Sequence, residues 1–207
     1  MVLGGDTVII NHIGGILKNP AEHWEIVSQE NRSVSDLFLG YILILGAIPP
    51  IAGLIGTTQF GWSFGAGATV KLTFISALKI SIAYYLAILV AIYTLAKLIQ
   101  WMSRTYGGEQ SLERCLALTA YAATPIFLVG ILQVYPVMWV NYVLGLPVLA
   151  YTIYLLYTGT PIMMRIPREQ GFLFSSAILA VGLVALVGLL ASTVMLWSAG
   201  IQPEFTH

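Results

Sequence analysis

The sequence CLALTAYAATPIFLVGILQVYPVMWVNYVLGLPVLAYTIYLLYTGTPIMM, from Cys115 to Met164, is fifty residues long and contains no charged side chain. A helix needs about 20 predominantly apolar residues to cross the roughly 30 Å hydrocarbon layer of a bilayer. Fifty residues are therefore too many for one crossing and enough for two, joined by a turn at Gln133-Val134-Tyr135-Pro136. This stretch predicts two spanning helices, at about 115–134 and 138–158.

Three more apolar stretches flank this pair and predict further spans, at about 37–58, 73–98 and 172–197. The whole chain has the matching composition, because 58% of its 207 residues are apolar and only 9% are charged. An ordinary soluble domain carries roughly 25% charged residues. We therefore expect an all-α integral membrane protein whose five transmembrane helices occupy residues 37–198.

The distribution of positive charge predicts the orientation of these helices. Lys and Arg concentrate in the short cytoplasmic loops of membrane proteins. With the amino terminus inside, the outer segments carry only Lys71, and the inner segments carry Lys18, Arg32, Lys97, Arg104, Arg114, Arg165 and Arg168. We expect an N-in, C-out arrangement in which residues 199–207 form a short outer tail.

Residues 1–36 precede the first span and predict a cytoplasmic or interfacial segment. Apolar residues recur there at helical spacing, and Asn19-Pro20 followed by Glu22 is typical of a helix start. The pattern indicates one or two short interfacial amphipathic helices between residues 6 and 29, in which Trp24, Ile26 and Val27 could reach the inner membrane interface. The alternative interpretation is a partly ordered tail.

Prolines near the middle of three spans are candidate functional positions: Pro49 with Pro50, then Pro125, and then Pro147. A proline inside a helix leaves the carbonyl four residues earlier without its hydrogen bond, which for Pro125 is the carbonyl of Tyr121. In lipid such a carbonyl needs protein, a hydroxyl or a wet cavity beside it. The prolines indicate either a transport site at the bilayer midplane or simple packing kinks.

Lys79 is the ionisable residue that the pattern places inside a span, and a charge at that depth is costly. None of the predicted spans contains a carboxylate that could pair with it. Three surroundings remain open for its ammonium group: outer-leaflet phosphates reached by snorkelling, a water-filled pocket, or the carboxylate of a partner subunit.

Tyr151, Tyr154 and Tyr157 follow one another at three-residue spacing in the fourth predicted span and therefore share one helix face. Their hydroxyl groups could bridge kinked backbone or line a polar seam. Core packing and anchoring at the interface are the alternatives.

The sequence offers no basis for catalysis or for a cofactor. It lacks the common catalytic and phosphate-binding motifs, and His12, His23 and His207 lie outside the spans at unrelated positions. Cys115 is the single cysteine, so neither an internal disulfide nor a cysteine metal site is expected. The formal net charge is +0, which provides no basic surface for nucleic acid. We expect no enzyme, no cofactor, no metal and no nucleic-acid partner.

Four groups of residues, in this order, resemble bacterial Yip1-domain inner-membrane proteins. They are Asn19-Pro20 with Trp24-Glu25-Ile26, Ala47-Ile48-Pro49-Pro50, Ala120-Tyr121-Ala122-Ala123-Thr124-Pro125, and Tyr151-Thr152-Ile153-Tyr154 continuing to Pro161. The resemblance implies a five-helix protein of the inner membrane with a cytoplasmic amino terminus. Eukaryotic relatives are linked to vesicle trafficking and bind prenylated small GTPases. The acidic aromatic motif of those relatives has a partial counterpart here in Ser35-Asp36-Leu37-Phe38.

Three functional hypotheses follow. The leading one is a non-enzymatic membrane-organising protein, or one that binds lipid or another membrane protein. The first alternative is a small channel or transporter that uses the kinked helices and Lys79. The second is an accessory subunit of a membrane complex.

Overall fold

The computed structural model describes residues 5–63, 69–105, 110–198 and 203–206. Within these ranges the secondary structure is helical, apart from isolated β-bridges. In chain order the helices are α1 (Gly5–Lys18), α2 (Pro20–Gln29), α3 (Val34–Phe60), α4 (Phe74–Ser103), α5 (Leu112–Ala122), α6 (Thr124–Val134), α7 (Met138–Met164) and α8 (Arg168–Ser198).

The predicted all-α membrane fold is confirmed. Among the described residues α3, α4, α7 and α8 are each long and apolar enough to cross a bilayer. Helices α5 and α6 meet at an angle of 41° and together form a fifth candidate. The described part of the chain therefore has four helices able to span a membrane, or five when this bent pair counts as one.

Short polar residues set where several helices begin. The Thr73 hydroxyl accepts a hydrogen bond from the Ser76 amide at the start of α4, and Ser33 forms a capping box with Asp36 at the start of α3. Helix α7 ends at Met164 and is capped by Arg165, whose φ of 54° is left-handed, and α8 begins three residues after this cap. Helices α7 and α8 therefore form a tight hairpin.

The connections at the end of the bundle away from α1 and α2 are held together by backbone hydrogen bonds. The Met138 amide donates to the Ser63 carbonyl, which joins the α3–α4 connection to the start of α7. Leu72 forms a bridge with Phe205, and the Glu204 amide donates to the Ser76 hydroxyl. In the predicted tail, residues 199–202 and 207 lie outside the described residues.

The two short helices before the first span are present, but they pack into the bundle. Trp24 and Ile16 are fully buried, and α2 runs beside α7, where the indole of Trp24 lies over Gly159. The prediction that Trp24 reaches the membrane interface is therefore wrong. Trp24 is buried there because Gly159 has no side chain and leaves a flat surface for the indole ring.

The prolines have different structural consequences. Helix α3 is interrupted at Ala47, directly before the buried Pro49 and Pro50, and the bend between α5 and α6 lies directly before the buried Pro125. Helix α7, however, continues through Pro147, which is exposed on the outside of the bundle. The expectation that Pro147 breaks its helix is wrong, because α7 is continuous there and the residue lies on an outward-facing surface that leaves room for the ring.

Candidate functional site

A buried polar cluster joins the amino-terminal helices to the breaks of the spans. We call it the His12 cluster, and its members are His12, His23, Glu30, Arg32, Tyr41, Tyr121 and Thr124. Sequence reasoning singled out Tyr121 and the neighbouring Pro125 but placed the histidines at unrelated positions. That placement is wrong, because the turn at Asn19-Pro20 folds α2 back on α1 and brings His12 and His23 into contact.

The hydrogen bonds of His12 define its protonation state. The Arg32 Nη2 lies 2.8 Å from Nε2 of His12, and a guanidinium can only donate, so Nε2 accepts and carries no proton. Nδ1 then carries the proton and donates to Nε2 of His23 at 3.0 Å. Both ring nitrogens of His12 are engaged, and the imidazole is neutral.

Burial agrees with this assignment. His12 is only 4% exposed. Desolvation, followed by the charge of Arg32 and the proximity of His23, lowers the pKa of His12 from 6.5 to about 4. Burial also lowers the pKa of His23. Glu30 is 3.5 Å from His12 but only 2.8 Å from Nε of Arg32, so its carboxylate pairs with the guanidinium.

Two tyrosines form the inner wall of the cluster. The Tyr41 hydroxyl is 2.7 Å from the Thr124 hydroxyl, directly after the interruption between α5 and α6. The Tyr121 ring lies 4.8 Å from that of His12 and 4.7 Å from that of Tyr41, measured between centroids. Tyr121 is fully buried, yet its hydroxyl has no hydrogen-bond partner in the described part of the chain.

The cluster borders a pocket of about 300 Å³ between the α2–α3 connection and the start of α5. Glu30, Arg32, Glu113, Arg114 and Tyr121 are among its lining residues, together with apolar side chains of α2, α3 and α7. Three buried polar side-chain atoms have no partner among the described residues, and the Tyr121 hydroxyl is the one whose residue lines this pocket, although the oxygen itself is fully buried. We call this space the Tyr121 pocket.

Arg114 fixes one wall of the Tyr121 pocket. Its Nη2 donates to the Ser28 carbonyl at 2.7 Å and its Nη1 to the Met163 carbonyl at 3.2 Å. Carbonyls in the last turn of a helix lack partners within the helix and carry the negative end of its dipole. The guanidinium therefore ties the ends of α2 and α7 together.

The predicted tyrosines of α7 have separate roles. The Tyr151 hydroxyl donates to the Ile16 carbonyl at 2.9 Å and caps the end of α1. Tyr154 is 48% exposed, with its ring 5.8 Å from that of Tyr151. Tyr157 and Ser176 share a hydroxyl hydrogen bond of 2.8 Å, which joins α7 to α8. Of these residues, Tyr151 is the one that holds the amino-terminal helices.

Lys79 lies apart from the His12 cluster. It is the sixth residue of α4 and is exposed on the outer surface of the bundle. Within the described ranges it forms no ion pair, and it lines neither the Tyr121 pocket nor either of two further cavities, one between α3 and α4 and one beside α2, α7 and α8. Of its three predicted surroundings, snorkelling and a partner's carboxylate fit this position.

The sequence does contain a signal for the missed histidine. Ile9, His12, Ile13 and Ile16 share one face of α1, so the periodicity that buries Ile16 also buries His12. His23 approaches α1 at Gly15, where an added Cβ would lie 2.1 Å from Nδ1 of His23. The glycine that weakens α1 as a helix is what lets α2 approach it.

Acid is expected to weaken the docking of α1. The pKa of His12 is about 4 when docked and near the ordinary histidine value of 6.5 when solvent-exposed. Below about pH 6.5 the undocked state takes up a proton that the docked state excludes, so docking stability is complete above that pH and declines toward pH 4. The difference corresponds to about 3 kcal/mol at most.

Hydrogen exchange of the α1 amides, measured between about pH 6.5 and pH 4 and corrected for the intrinsic effect of pH, reports this loss of docking stability. A His12→Gln variant serves as the control, because it has no titrating ring to face Arg32, His23 and Glu30. Equal protection of α1 in native protein throughout the interval would contradict the prediction.

Comparison with known proteins gives the family. A Yip1 domain matches residues 14–189. The chain is 38% identical over 191 residues to "Inner membrane protein YohC" of Escherichia coli strain K12, which covers 92% of this chain and 98% of the relative. The protein of the same name from Escherichia coli O6:H1 matches equally well. No solved structure matches the chain. The chain therefore belongs to the Yip1 family and is a multi-pass protein of the inner membrane.

Proposed function

We propose that this protein is a non-enzymatic binding protein of the inner membrane, which holds a lipid or a membrane-protein partner at the Tyr121 pocket. The observation that carries the proposal is the buried Tyr121 hydroxyl without a partner in the described part of the chain, on a residue that lines a pocket together with charged residues. An unsatisfied buried hydroxyl costs about 1–3 kcal/mol. A bound group that pairs with this hydroxyl removes that cost.

The charges of the pocket favour binding over chemistry. Both ring nitrogens of His12 are engaged, and the guanidiniums of Arg32 and Arg114 are held by neighbouring acceptors. A general base needs a free nitrogen or carboxylate within reach of a nucleophile, and His12 offers no free nitrogen. Among the described residues no group of His, Cys, Asp or Glu is arranged for a metal ion. These features support a non-enzymatic role.

The orientation belongs to the same proposal. The pocket lies at the end of the bundle that carries α1, α2 and the α7–α8 turn, where Arg32, Arg114, Arg165 and Arg168 also lie. Positive residues of this kind mark the cytoplasmic side. The amino terminus and the opening of the pocket are therefore cytoplasmic, and a partner arrives from that side.

A second candidate is an accessory subunit of a membrane complex, and the exposed Lys79 favours it. An unpaired ammonium on the outer surface of a span suits a carboxylate on a neighbouring subunit. The channel or transporter alternative loses support, because Lys79 and Pro147 both lie on the outside of the bundle.

Replacement of Tyr121 by Phe tests the binding proposal. The ring contacts with His12 and Tyr41 remain while the unpaired hydroxyl is removed, so the Tm should stay unchanged or rise by the equivalent of about 1 kcal/mol. Binding of the lipid or partner at the Tyr121 pocket should become weaker. Native mass spectrometry of protein extracted with its surrounding membrane would show one bound species reduced severalfold.

The matched control is Tyr41→Phe, which removes the hydroxyl that bonds Thr124 and should lower the Tm without selective loss of the bound species. The binding proposal is wrong if the Tyr121→Phe protein retains every bound molecule of the native protein in the same amount.

A further inference from the structure

A second cavity lies between α2, the end of α7 and the start of α8. Its volume is about 1220 Å³, whereas small-molecule pockets are typically about 300–1,000 Å³. We call it the α2–α8 groove. It shares no lining residue with the Tyr121 pocket, so it is a separate site.

Opposite charges line this groove. Helix α2 supplies Glu22 and Glu25, and the α7–α8 turn and first residue of α8 supply Arg165 and Arg168. All four are exposed, and none forms an ion pair within the described part of the chain. The groove therefore offers unpaired carboxylates and unpaired guanidiniums to one occupant.

The rest of the groove is largely apolar. Phe172 is 59% exposed, and its ring lies 5.2 Å from that of Tyr157. Pro161 and Ile162 continue this surface along the last turn of α7. The groove lies where two spanning helices end, which is the level at which apolar chains meet polar headgroups.

We infer that the α2–α8 groove binds a zwitterionic phospholipid whose headgroup carries a primary ammonium, as phosphatidylethanolamine does. The phosphate accepts hydrogen bonds from Arg165 and Arg168, because a guanidinium presents paired donors to such oxygens. The ammonium donates to Glu22 and Glu25. The acyl chains leave along Phe172 into the bilayer.

Other lipids match this groove less well. Phosphatidylglycerol supplies the phosphate but no cation, so the two carboxylates are left facing an anion. Phosphatidylcholine supplies a cation without N–H groups, which cannot donate hydrogen bonds to the carboxylates. The inference does not depend on the Tyr121 pocket, and either site can fail without the other.

Titration of the delipidated full-length protein with these three lipids, matched in acyl chains and followed by native mass spectrometry, tests the inference. We expect phosphatidylethanolamine to bind on the order of tenfold more tightly than the other two, because only its ammonium can donate hydrogen bonds to the two carboxylates. The double variant Glu22→Gln with Glu25→Gln should lose this preference. Arg165→Gln with Arg168→Gln should weaken binding of all three lipids.

Two further variants separate binding from folding. Glu22 also accepts a hydrogen bond from Asn19 at the start of α2, so Glu25→Gln alone keeps that contact and should lose about half of the preference, measured in free energy. Glu169→Gln changes an exposed carboxylate of α8 outside the groove and should bind like native protein. Equal binding of the three lipids by native protein, or a preference that survives loss of both groove carboxylates, would overturn the inference.

Discussion

The Gly159→Ala substitution is expected to displace α2 from α7 and to expose the amides of both amino-terminal helices to exchange. A Cβ at position 159 would lie 2.5 Å from Cε2 and 2.7 Å from Cζ2 of Trp24. The indole is rigid and fully buried, so it has no free space into which it can move. Overpacking of this kind costs about 1–3 kcal/mol, occasionally more. Hydrogen exchange of α1 and α2, together with the Tm, measures the effect.

Gly145→Ala is the matched control, because Gly145 lies in the same helix and a Cβ there meets nothing within 4 Å. Both substitutions gain up to about 1 kcal/mol of helix propensity, so their difference isolates the contact with Trp24. If α2 in the Gly159→Ala protein is protected as well as in the Gly145→Ala protein, Trp24 does not anchor the helix.

Docking of α2 also shapes the Tyr121 pocket. The Ser28 carbonyl holds Arg114, and the residues just beyond α2, Glu30 and Arg32, reach His12 and border the pocket. The Gly159→Ala protein should therefore lose the same bound species that the Tyr121→Phe protein loses. Its Tm should also fall, whereas the Tm of the Tyr121→Phe protein should not. This difference in stability separates a structural cause of lost binding from a local one.

The spans were predictable from sequence because the bilayer imposes their length and their composition. The charge-free stretch 115–164 contains α6, most of α5 and all of α7, and Pro125 marks the bend between α5 and α6. The starts of α3 and α4 at Ser33 and Thr73 follow the ordinary preference for capping side chains.

Which face of a spanning helix meets protein was not predictable. Both lipid and the bundle interior are apolar, so hydropathy does not distinguish them. For Pro147 the sequence left protein, a hydroxyl or a wet cavity as possible surroundings, and for Lys79 it left headgroups, a water-filled pocket or a partner subunit, and both residues lie on the outside. Tyr121 lies in the same charge-free stretch as Pro147, yet Tyr121 is fully buried.

The His12 cluster depends on contacts that no local pattern encodes. His12 and His23 meet because α2 folds back on α1 at the close approach permitted by Gly15. Tyr41 and Thr124 are 83 residues apart in the chain. Only the packing of α1, α2, α3, α5 and α6 brings these groups together, and no local sequence pattern pairs them.

The largest steric conflict we expect arises from Gly56→Ala, where α3 crosses α6. A Cβ at position 56 would lie 2.0 Å from the backbone oxygen of Gln133 and 3.0 Å from that of Val134. The same pair of helices also meets at Gly130, where a Cβ would lie 2.5 Å from Pro49. Since backbone cannot rotate aside, the helices must separate, and the free energy of unfolding should fall by about 3 kcal/mol or more. Thermal unfolding in detergent measures this loss.

A graded series distinguishes this backbone contact from general sensitivity of α3. A Cβ at Gly40 meets nothing within 4 Å, so Gly40→Ala should leave the Tm unchanged or raise it. A Cβ at Gly53 meets only the side-chain oxygen of Gln133, at 3.1 Å, so Gly53→Ala should cost little and should be rescued by Gln133→Ala. Gly56→Ala should not be rescued by Gln133→Ala, because the oxygen in conflict belongs to the main chain. Rescue of Gly56→Ala by that change would mean that the close approach of α3 and α6 is set by side chains.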